Sequence, residues 1–291
     1  MFRLKKYDLI QEATFTVVIP VYNEERSIRD CIMSLMNQTF RPQEIIVVDD
    51  GSIDSTVEIC RTLGIQVLFQ THKGPGAARN LGANYAKGEV LILIDADMTF
   101  ATDYIERLIA PILTGNAIAT CHWNERVANW DNPWARCQTW YLGLPDGMRQ
   151  GSEAPAHENI YRAVRKDFFL DAGGFDEDMG RGDDSSIAKK TGVFAQIIPD
   201  AICYHRNFSG LRETFREAVW HGRNVAVEKK NKTKRIIYLL LVQKNPILSI
   251  LHGLCLTMAK REPRMLAYSI CYTSGFVYGV LNGLYSGYYL K

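Results

Sequence analysis

The sequence lacks the features of a secreted disulfide protein and of a zinc-binding module. Its seven cysteines are scattered over 291 residues, and no two of them have the spacing of metal ligands. An odd, scattered set favours reduced thiols over a disulfide framework. Internal repeats and low-complexity segments are absent as well. The first eleven residues are charged and contain no apolar core of the kind found in signal peptides, so we expect a cytoplasmic protein.

Acidic residues are scarce at the C-terminal end. From Lys229 onward the chain carries ten Lys or Arg and one acid, Glu262, so residues 1–228 hold 24 of the 34 basic and 31 of the 32 acidic groups. A basic segment attracts nucleic acid or an anionic membrane surface. Because these basic residues flank long apolar runs, we expect a membrane surface and no nucleic acid. We expect one domain over residues 1–228 and a basic, apolar, helical region over residues 229–291.

No charged residue occurs in Leu266–Leu290, a run long enough to span a bilayer. Gly275, Gly279, Gly283 and Gly287 recur at every fourth position, so one helical face is smooth enough for close helix packing. Three interpretations of this region stay open: a helical hairpin lying in the cytoplasmic leaflet, a membrane span, and a soluble packing or dimerisation module. The other apolar stretches of the region are residues 236–242 and 247–258.

Strand and helix patterns alternate along the rest of the chain. Short runs of β-branched residues and leucine predict strands, and apolar residues at helical spacing predict helices between them. This alternation indicates right-handed βαβ units and an α/β fold with a mostly parallel central sheet flanked by helices. The predicted strands are residues 16–21, 44–48, 65–70, 90–94, 160–164 and 201–204, and the predicted helices are about 28–36, 55–63, 77–86, 166–172 and 211–228.

Acidic residues follow three of these strands directly. Asp95 and Asp97 end the fourth strand, Asp49 and Asp50 end the second, and Glu24 follows the first after Tyr22-Asn23. One such pair has an ordinary alternative explanation, in which Asp97 caps a helix and Asp95 is solvated. Three acidic strand ends at one edge of a parallel sheet instead predict a cleft for a nucleotide and a hard divalent cation such as Mg²⁺ or Mn²⁺.

A glycine-containing loop after the third strand invites comparison with dinucleotide-binding fingerprints. The loop reads Lys73-Gly74-Pro-Gly76-Ala-Ala-Arg79, and an arginine stands where the fingerprint has its third glycine. This departure disfavours a nicotinamide site. The loop is better interpreted as a helix N-terminus, with the Arg79 guanidinium available to a phosphate or a base. A surface ion pair is the alternative role for Arg79.

Two later features hold further candidate functional groups. Asp183 and Asp184 are adjacent acids that open a predicted helix, where they are either partners of the helix dipole or include a general base. His205 follows the last predicted strand and is a candidate metal ligand. A purely structural histidine is the alternative.

Taken together, the motifs resemble those of family 2 glycosyltransferases, over roughly residues 15–225. The resemblance implies the GT-A fold for residues 1–228, a UDP- or GDP-sugar donor, and Mn²⁺ or Mg²⁺ as cofactor. The motifs, in the order seen in that family, are Val18-Ile-Pro-Val-Tyr-Asn-Glu24, Val48-Asp-Asp-Gly-Ser52 with Asp54, Gly76-Ala-Ala-Arg-Asn-Leu-Gly82, Asp95-Ala-Asp97, Gly173-Gly-Phe-Asp-Glu177 and Gly182-Asp-Asp184.

The resemblance also implies residue roles. It makes Asp97 and His205 the metal ligands, and Asp184 the base that deprotonates the acceptor in a single inverting displacement. Asp183 occupies a position where the family usually has glutamate, and we group it with the catalytic acids. The residues placed around the nucleotide-sugar are Pro20, Tyr22, Glu24, Asp49, Asp50, Lys73, Arg79 and Asp95.

The acceptor is expected to be a hydroxyl of a glycan or of a lipid-linked molecule, at the inner face of the cell membrane. Met98-Thr-Phe100 stands where many polyprenyl-phosphate sugar synthases have Gln-His-Pro-Pro, so such a synthase is a secondary hypothesis. A non-catalytic nucleotide-sugar-binding protein is another. A nucleotidyltransferase lacks support because the chain has no early glycine-rich loop followed by Arg and Lys, and a receiver domain leaves Asp95-Ala-Asp97 unexplained.

Overall fold

The computed structural model describes residues 13–177, 182–227 and 245–286. These residues form two compact units, one from the described parts of 1–126 and 152–205 and one from those of 127–151 and 206–290. The domain boundary expected at residue 228 lies outside the described residues. The strands are Phe15–Val21 (β1), Glu44–Asp49 (β2), Gln66–Phe69 (β3), Val90–Leu93 (β4), Met98–Phe100 (β5), Ala119–His122 (β6), Glu125–Val127 (β7), His157–Glu158 (β8), Ala163–Arg165 (β9), Ala195–Ile198 (β10) and Cys203–His205 (β11).

Helices separate most of these strands. They are Ile28–Met36, Thr56–Thr62, Pro75–Tyr85, Tyr104–Leu113, Pro133–Tyr141, Lys166–Asp171, Ser186–Thr191, Leu211–Val227, Pro246–Lys260 and Arg264–Ser286, with a short 3-10 turn at Asp183–Ser185. The helix predicted from residue 77 begins two residues earlier, because proline fits the first turn of a helix, where no backbone donor is needed.

The main sheet has eight strands in the order β3-β2-β1-β4-β9-β6-β10-β8. The first four strands in this order run parallel, which confirms the expected parallel core. β9 lies antiparallel between β4 and β6, so the sheet is mostly parallel rather than wholly so. The carboxyl ends of β1, β2 and β4 therefore meet at one edge, as the sequence predicts.

A second sheet of three strands, in the order β5-β11-β7, adjoins the end of β4. β5 begins one residue after Asp97, and its antiparallel register pairs Met98 with His205 at the end of β11. Since a strand follows Asp97, this residue does not cap a helix. The small sheet instead places Asp97 beside His205.

The helix Pro75–Tyr85 packs very closely on the parallel strands. A Cβ atom at Gly82 would lie 2.3 Å from a methyl group of Val18 on β1, so only glycine permits this approach. The same helix also fixes the Gly173-Gly174 turn. The side chain of Asn80 both donates to the backbone oxygen of Phe175, at 2.9 Å, and accepts from its N–H, at 2.8 Å.

The other unit contains a core of helices. Gly275 and Gly279 of the last helix lie against the backbone of Leu211–Val227, where a Cβ at Gly279 would be 2.1 Å from the carbonyl oxygen of Val219. The smooth glycine face predicted from sequence therefore packs against another helix of the same chain. Within the described residues, no helix combines the length and hydropathy that crossing a bilayer requires. Residues 236–242 and 287–290 of the predicted apolar stretches lie outside the described residues.

Candidate active site

Asp95 lies between two arginine side chains. Arg79 Nη2 donates to Oδ1 of Asp95 at 2.5 Å, and Arg162 Nη1 donates to Oδ2 at 3.0 Å. Burial opposes ionisation of Asp95, but the two guanidinium charges prevail and hold the pKa of Asp95 well below its usual range. Arg79 is therefore a buried partner of the Asp95 carboxylate, not a surface residue.

Asp97 and His205 form a close pair at the edge of the small sheet. The Nε2 atom of His205 lies 2.7 Å from Oδ2 of Asp97, and its Nδ1 atom lies 2.6 Å from Oε1 of Glu125. Both ring nitrogens of His205 thus face carboxylates. The side chain of Asp97 remains partly open to solvent, whereas those of His205 and Glu125 are largely covered.

Glu24 lies after β1 and is partly buried. Burial raises the pKa of Glu24 to about 7, and the negative charges of Asp97 and Asp95 act in the same direction. A hydrogen bond from Ser27 Oγ to Glu24 Oε2, at 2.5 Å, opposes this shift. Because Glu24, Asp95 and Asp97 interact electrostatically, the ends of β1 and β4 form one acidic cluster, as expected from sequence.

Asp50 organises the loop after β3. Its carboxylate accepts hydrogen bonds from the backbone N–H groups of Lys73, at 2.7 Å, and Gly74, at 2.9 Å, and lies 2.9 Å from His72 Nδ1. Asp50 is itself buried, so its visible role is to hold this loop. The His72 ring packs 4.3 Å from the exposed ring of Tyr22, between centroids. The side chain of Lys73 is exposed.

Asp49 and Pro20 complete the ends of β2 and β1. Asp49 is buried, and its Oδ1 atom accepts from the N–H of Ser52 at 3.1 Å, which closes the turn after β2. Pro20 is paired with Val48 across the parallel strands. Asp49 therefore holds the turn after β2, while Pro20 lies within β1, one residue before its end.

The two adjacent acids at 183–184 have different surroundings. Asp183 is buried against the N-terminus of the helix Pro75–Tyr85, where a Cβ at Gly76 would lie 2.5 Å from its Oδ2 atom. Burial raises the pKa of Asp183, while the charge of Arg79 lowers it. Asp184 is only partly buried, so it is the more accessible carboxylate of the two.

The donor set near Asp97 fits a hard divalent cation that is shared with a ligand. Within residues 13–177, 182–227 and 245–286, no three His, Cys, Asp or Glu side chains are arranged to hold a metal ion by themselves. One carboxylate and one imidazole nitrogen 2.7 Å apart would supply two ligands to such a cation. Mg²⁺ and Mn²⁺ sites in phosphate-transfer proteins commonly take the remaining oxygens from substrate phosphates and water.

The comparison with family models decides the classification. The model described as glycosyl transferase family 2 matches residues 16–169, more than half of the 291 residues. The chain belongs to glycosyl transferase family 2. The matched range of this glycosyl transferase runs from the second residue of β1 through β4 and the Asp95-Ala-Asp97 segment, so it contains Glu24, Asp95 and Asp97 of the acidic cluster.

Curated relatives of the glycosyl transferase share parts of its sequence. A pre-mycofactocin glycosyltransferase of Mycobacterium tuberculosis is 28% identical over 237 residues, which cover 76% of this chain and 49% of the relative. GlyA of Streptococcus pneumoniae is 36% identical over 110 residues, which cover 36% of this chain and 16% of GlyA. The chain thus spans less than half the length of these relatives.

Solved structures support the fold of the glycosyl transferase. The mannosyltransferase PcManGT of Pyrobaculum calidifontis aligns with a TM-score of 0.57 at 19% identity, covering 95% of this chain and 94% of PcManGT. Residues 1–349 of TarS from S. aureus, in complex with UDP-GlcNAc, align with a TM-score of 0.53 at 17% identity, covering 96% of this chain and 93% of that TarS chain. The fold is GT-A, as the resemblance of the motifs implies.

Three residues of the site are missing from the sequence predictions. Arg162 lies just before β9, Glu125 begins β7, and His72 precedes the 73–79 loop. A charged residue inside an otherwise apolar run, Ile160-Tyr-Arg162-Ala-Val164, is a signal that would have drawn attention to Arg162. Glu125 gives no comparable signal, because its role depends on the pairing of β7 with β11.

Proposed function

We propose that the protein transfers a sugar from a nucleotide-diphospho-sugar to an acceptor hydroxyl, with inversion at the anomeric carbon and with help from a divalent cation. The observation that carries this proposal is the clustering of Glu24, Asp95 and Asp97 at one sheet edge beside two arginines. A cluster of carboxylates is compatible with a diphosphate only where cations compensate the negative charge. Asp97 and His205 are the residues that would hold the metal.

The reaction follows from placing the acceptor opposite the leaving diphosphate. Asp184 accepts the proton of the attacking hydroxyl while the oxygen of that hydroxyl forms a bond to the anomeric carbon. The bond from that carbon to the diphosphate oxygen breaks, and its electron pair leaves with the diphosphate. A bound Mn²⁺ or Mg²⁺ supplies charge neutralisation at the diphosphate. One displacement of this kind inverts the anomeric configuration.

Two neighbours guide the choice of donor for a test. PcManGT is described in complex with GDP-Man and Mn²⁺, and TarS in complex with UDP-GlcNAc. Both contain a hexose-type sugar, so we propose a UDP- or GDP-linked hexose or amino-hexose. Thermal-shift screening of UDP-, GDP- and dTDP-sugars, with and without Mn²⁺, tests the proposal. We expect one nucleotide class to raise the melting temperature only when Mn²⁺ is present, and the enzyme proposal fails if none does so.

We also propose that the acceptor is glycan or lipid-linked and that the protein works at the cytoplasmic face of a membrane. The support is one face of the helix Pro246–Lys260, which exposes an unbroken apolar stripe. Exposed patches of this kind mark interaction surfaces, and a helix with such a face binds lipid headgroup regions. The basic residues of 229–235 precede this helix in sequence and favour an anionic surface. The stripe consists of Ile247, Leu248, Ile250, Leu251, Leu254, Cys255 and Met258.

A further inference from the structure

Glu125 is a buried carboxylate that contacts the ring nitrogen of His205 on the other side from Asp97. Its Oε1 atom lies 2.6 Å from Nδ1 of His205, and the residue is only 6% exposed. The strand order β5-β11-β7 explains this placement, because Asp97, His205 and Glu125 lie at the ends of three neighbouring strands. The three side chains therefore form a row across the small sheet.

The contact with Glu125 selects one form of the His205 ring. An ionised carboxylate can only accept hydrogen bonds, so Nδ1 of His205 must carry the hydrogen that joins it to Glu125. Nε2 lies 2.7 Å from Oδ2 of Asp97 and by the same argument carries a hydrogen when no cation is bound. A cation between the two side chains would replace that hydrogen, and Nδ1 would keep its hydrogen bond to Glu125.

A buried histidine, His122, lies beside Glu125. The Nε2 atom of His122 lies 3.7 Å from Oε2 of Glu125, and Nδ1 of His122 lies 2.8 Å from the hydroxyl of Tyr104. Burial lowers the pKa of His122 and so favours the neutral ring, in which Nδ1 accepts the hydrogen of Tyr104. The remaining hydrogen of His122 then lies on Nε2, which faces Glu125. Tyr104 thus selects the His122 tautomer that turns its Nε2 hydrogen towards Glu125, at a distance longer than a direct hydrogen bond.

We propose that Glu125 is a positioning residue for divalent-cation binding, and that His122 orients Glu125 in turn. The inference rests on the proposed metal role of Asp97 and His205. A carboxylate behind a metal-binding histidine fixes the orientation of its ring and strengthens its nitrogen as a ligand. A carboxylate that only linked strands would influence folding without influencing affinity for a cation.

Binding of Mn²⁺ alone, measured by the loss of the free-ion EPR signal, separates these roles without an activity assay. Glu125→Gln keeps the size of the side chain but removes its charge, and we expect it to weaken Mn²⁺ binding by about 10- to 100-fold. Thr120→Val is the matched control. The Thr120 hydroxyl is fully buried on β6 and donates to Leu108 O at 2.7 Å, away from His205, so Thr120→Val should leave Mn²⁺ affinity unchanged.

Each outcome has a distinct meaning. If the unsubstituted protein binds Mn²⁺ and Glu125→Gln binds it equally well, the positioning role is wrong while the proposed metal site stands. An equal loss of Mn²⁺ affinity in Thr120→Val would also overturn the positioning role, because the loss of any buried polar group would then be enough to weaken Mn²⁺ binding. If the unsubstituted protein does not bind Mn²⁺, both the metal site and this inference fail. Should Glu125→Gln not fold, His122→Gln provides the same test, with a smaller loss of affinity expected.

Discussion

Arg162 and Asp95 form an ion pair at the centre of the candidate site, with Nη1 of Arg162 3.0 Å from Oδ2 of Asp95. Arg79 Nη2 donates a hydrogen bond to Oδ1, the other oxygen of the same carboxylate. The Nε atom of Arg162 is buried and has no hydrogen-bond partner among the described residues. Asp95 is therefore bound by two side chains from different segments.

Breaking this pair should destabilise the protein strongly. Arg162→Met leaves the partly buried carboxylate of Asp95 with one guanidinium instead of two, and we expect the free energy of unfolding to fall by about 3 kcal/mol. Urea unfolding of Arg162→Met, Asp95→Asn and the double variant measures the coupling. The free energy of unfolding of the double variant should fall by clearly less than the sum of the decreases in the two single variants. Additive losses would mean that the pair does not interact.

The pKa of Glu24 predicts a specific dependence of stability on pH. Because burial raises the pKa of Glu24 from its ordinary value of 4.5 to about 7, the folded protein binds more protons than the unfolded chain between these two pH values. Its contribution to stability is complete below pH 4.5 and is lost as the pH rises through about 7. Glu24→Gln should remove this loss.

Melting temperatures at pH 5 and pH 8 provide the measurement for Glu24. The unsubstituted protein should lose more stability between these two values than Glu24→Gln does. Glu25→Gln is the matched control, since Glu25 is the adjacent acid and is exposed. If both substitutions change the pH dependence of the melting temperature by the same amount, the raised pKa of Glu24 is not the cause.

The two adjacent acids should respond differently to the same substitution. Asp184→Asn removes the proposed base and should lower kcat by about 10²- to 10⁴-fold, while donor binding stays close to normal. Asp183→Asn alters a carboxylate that is buried against Gly76, so its main effect should be a lower melting temperature. Release of nucleoside diphosphate by slow donor hydrolysis reports activity without a known acceptor. If Asp184→Asn instead weakens donor binding and turnover equally, Asp184 is not the base.

The parallel part of the fold could be predicted from sequence, whereas much of the detailed site could not. Val90–Ile94 is apolar on both faces, and its neighbours alternate with helices, so local patterns are enough to predict β1 to β4. Arg162 and Glu125 acquire their roles from β9 and β7, which are three residues each and owe their positions to non-local pairing. Such short strands have too little periodicity to reveal which side chains face the cleft.

The apolar stripe of the helix Pro246–Lys260 predicts binding to vesicles. Replacing Leu251 and Leu254 together by Glu removes about 1.5–3 kcal/mol of burial at each position, so partitioning should fall by more than tenfold. Sedimentation with phosphatidylcholine vesicles, with and without phosphatidylglycerol, measures the fraction of protein bound to the vesicles. Leu142→Glu is the control, because Leu142 is exposed but lies outside that helix. Unchanged partitioning of the double variant would contradict a membrane role for the stripe.

The central claim is that Asp97 and His205 hold a divalent cation beside a nucleoside diphosphate. Anomalous diffraction at the manganese edge, from crystals grown with Mn²⁺ and UDP or GDP, tests it most directly. We expect one strong peak in contact with both side chains, and its loss in crystals of Asp97→Asn. A nucleotide bound at the carboxyl edge of β1, β2 and β4 with no manganese at Asp97, or with manganese held elsewhere, would contradict the account.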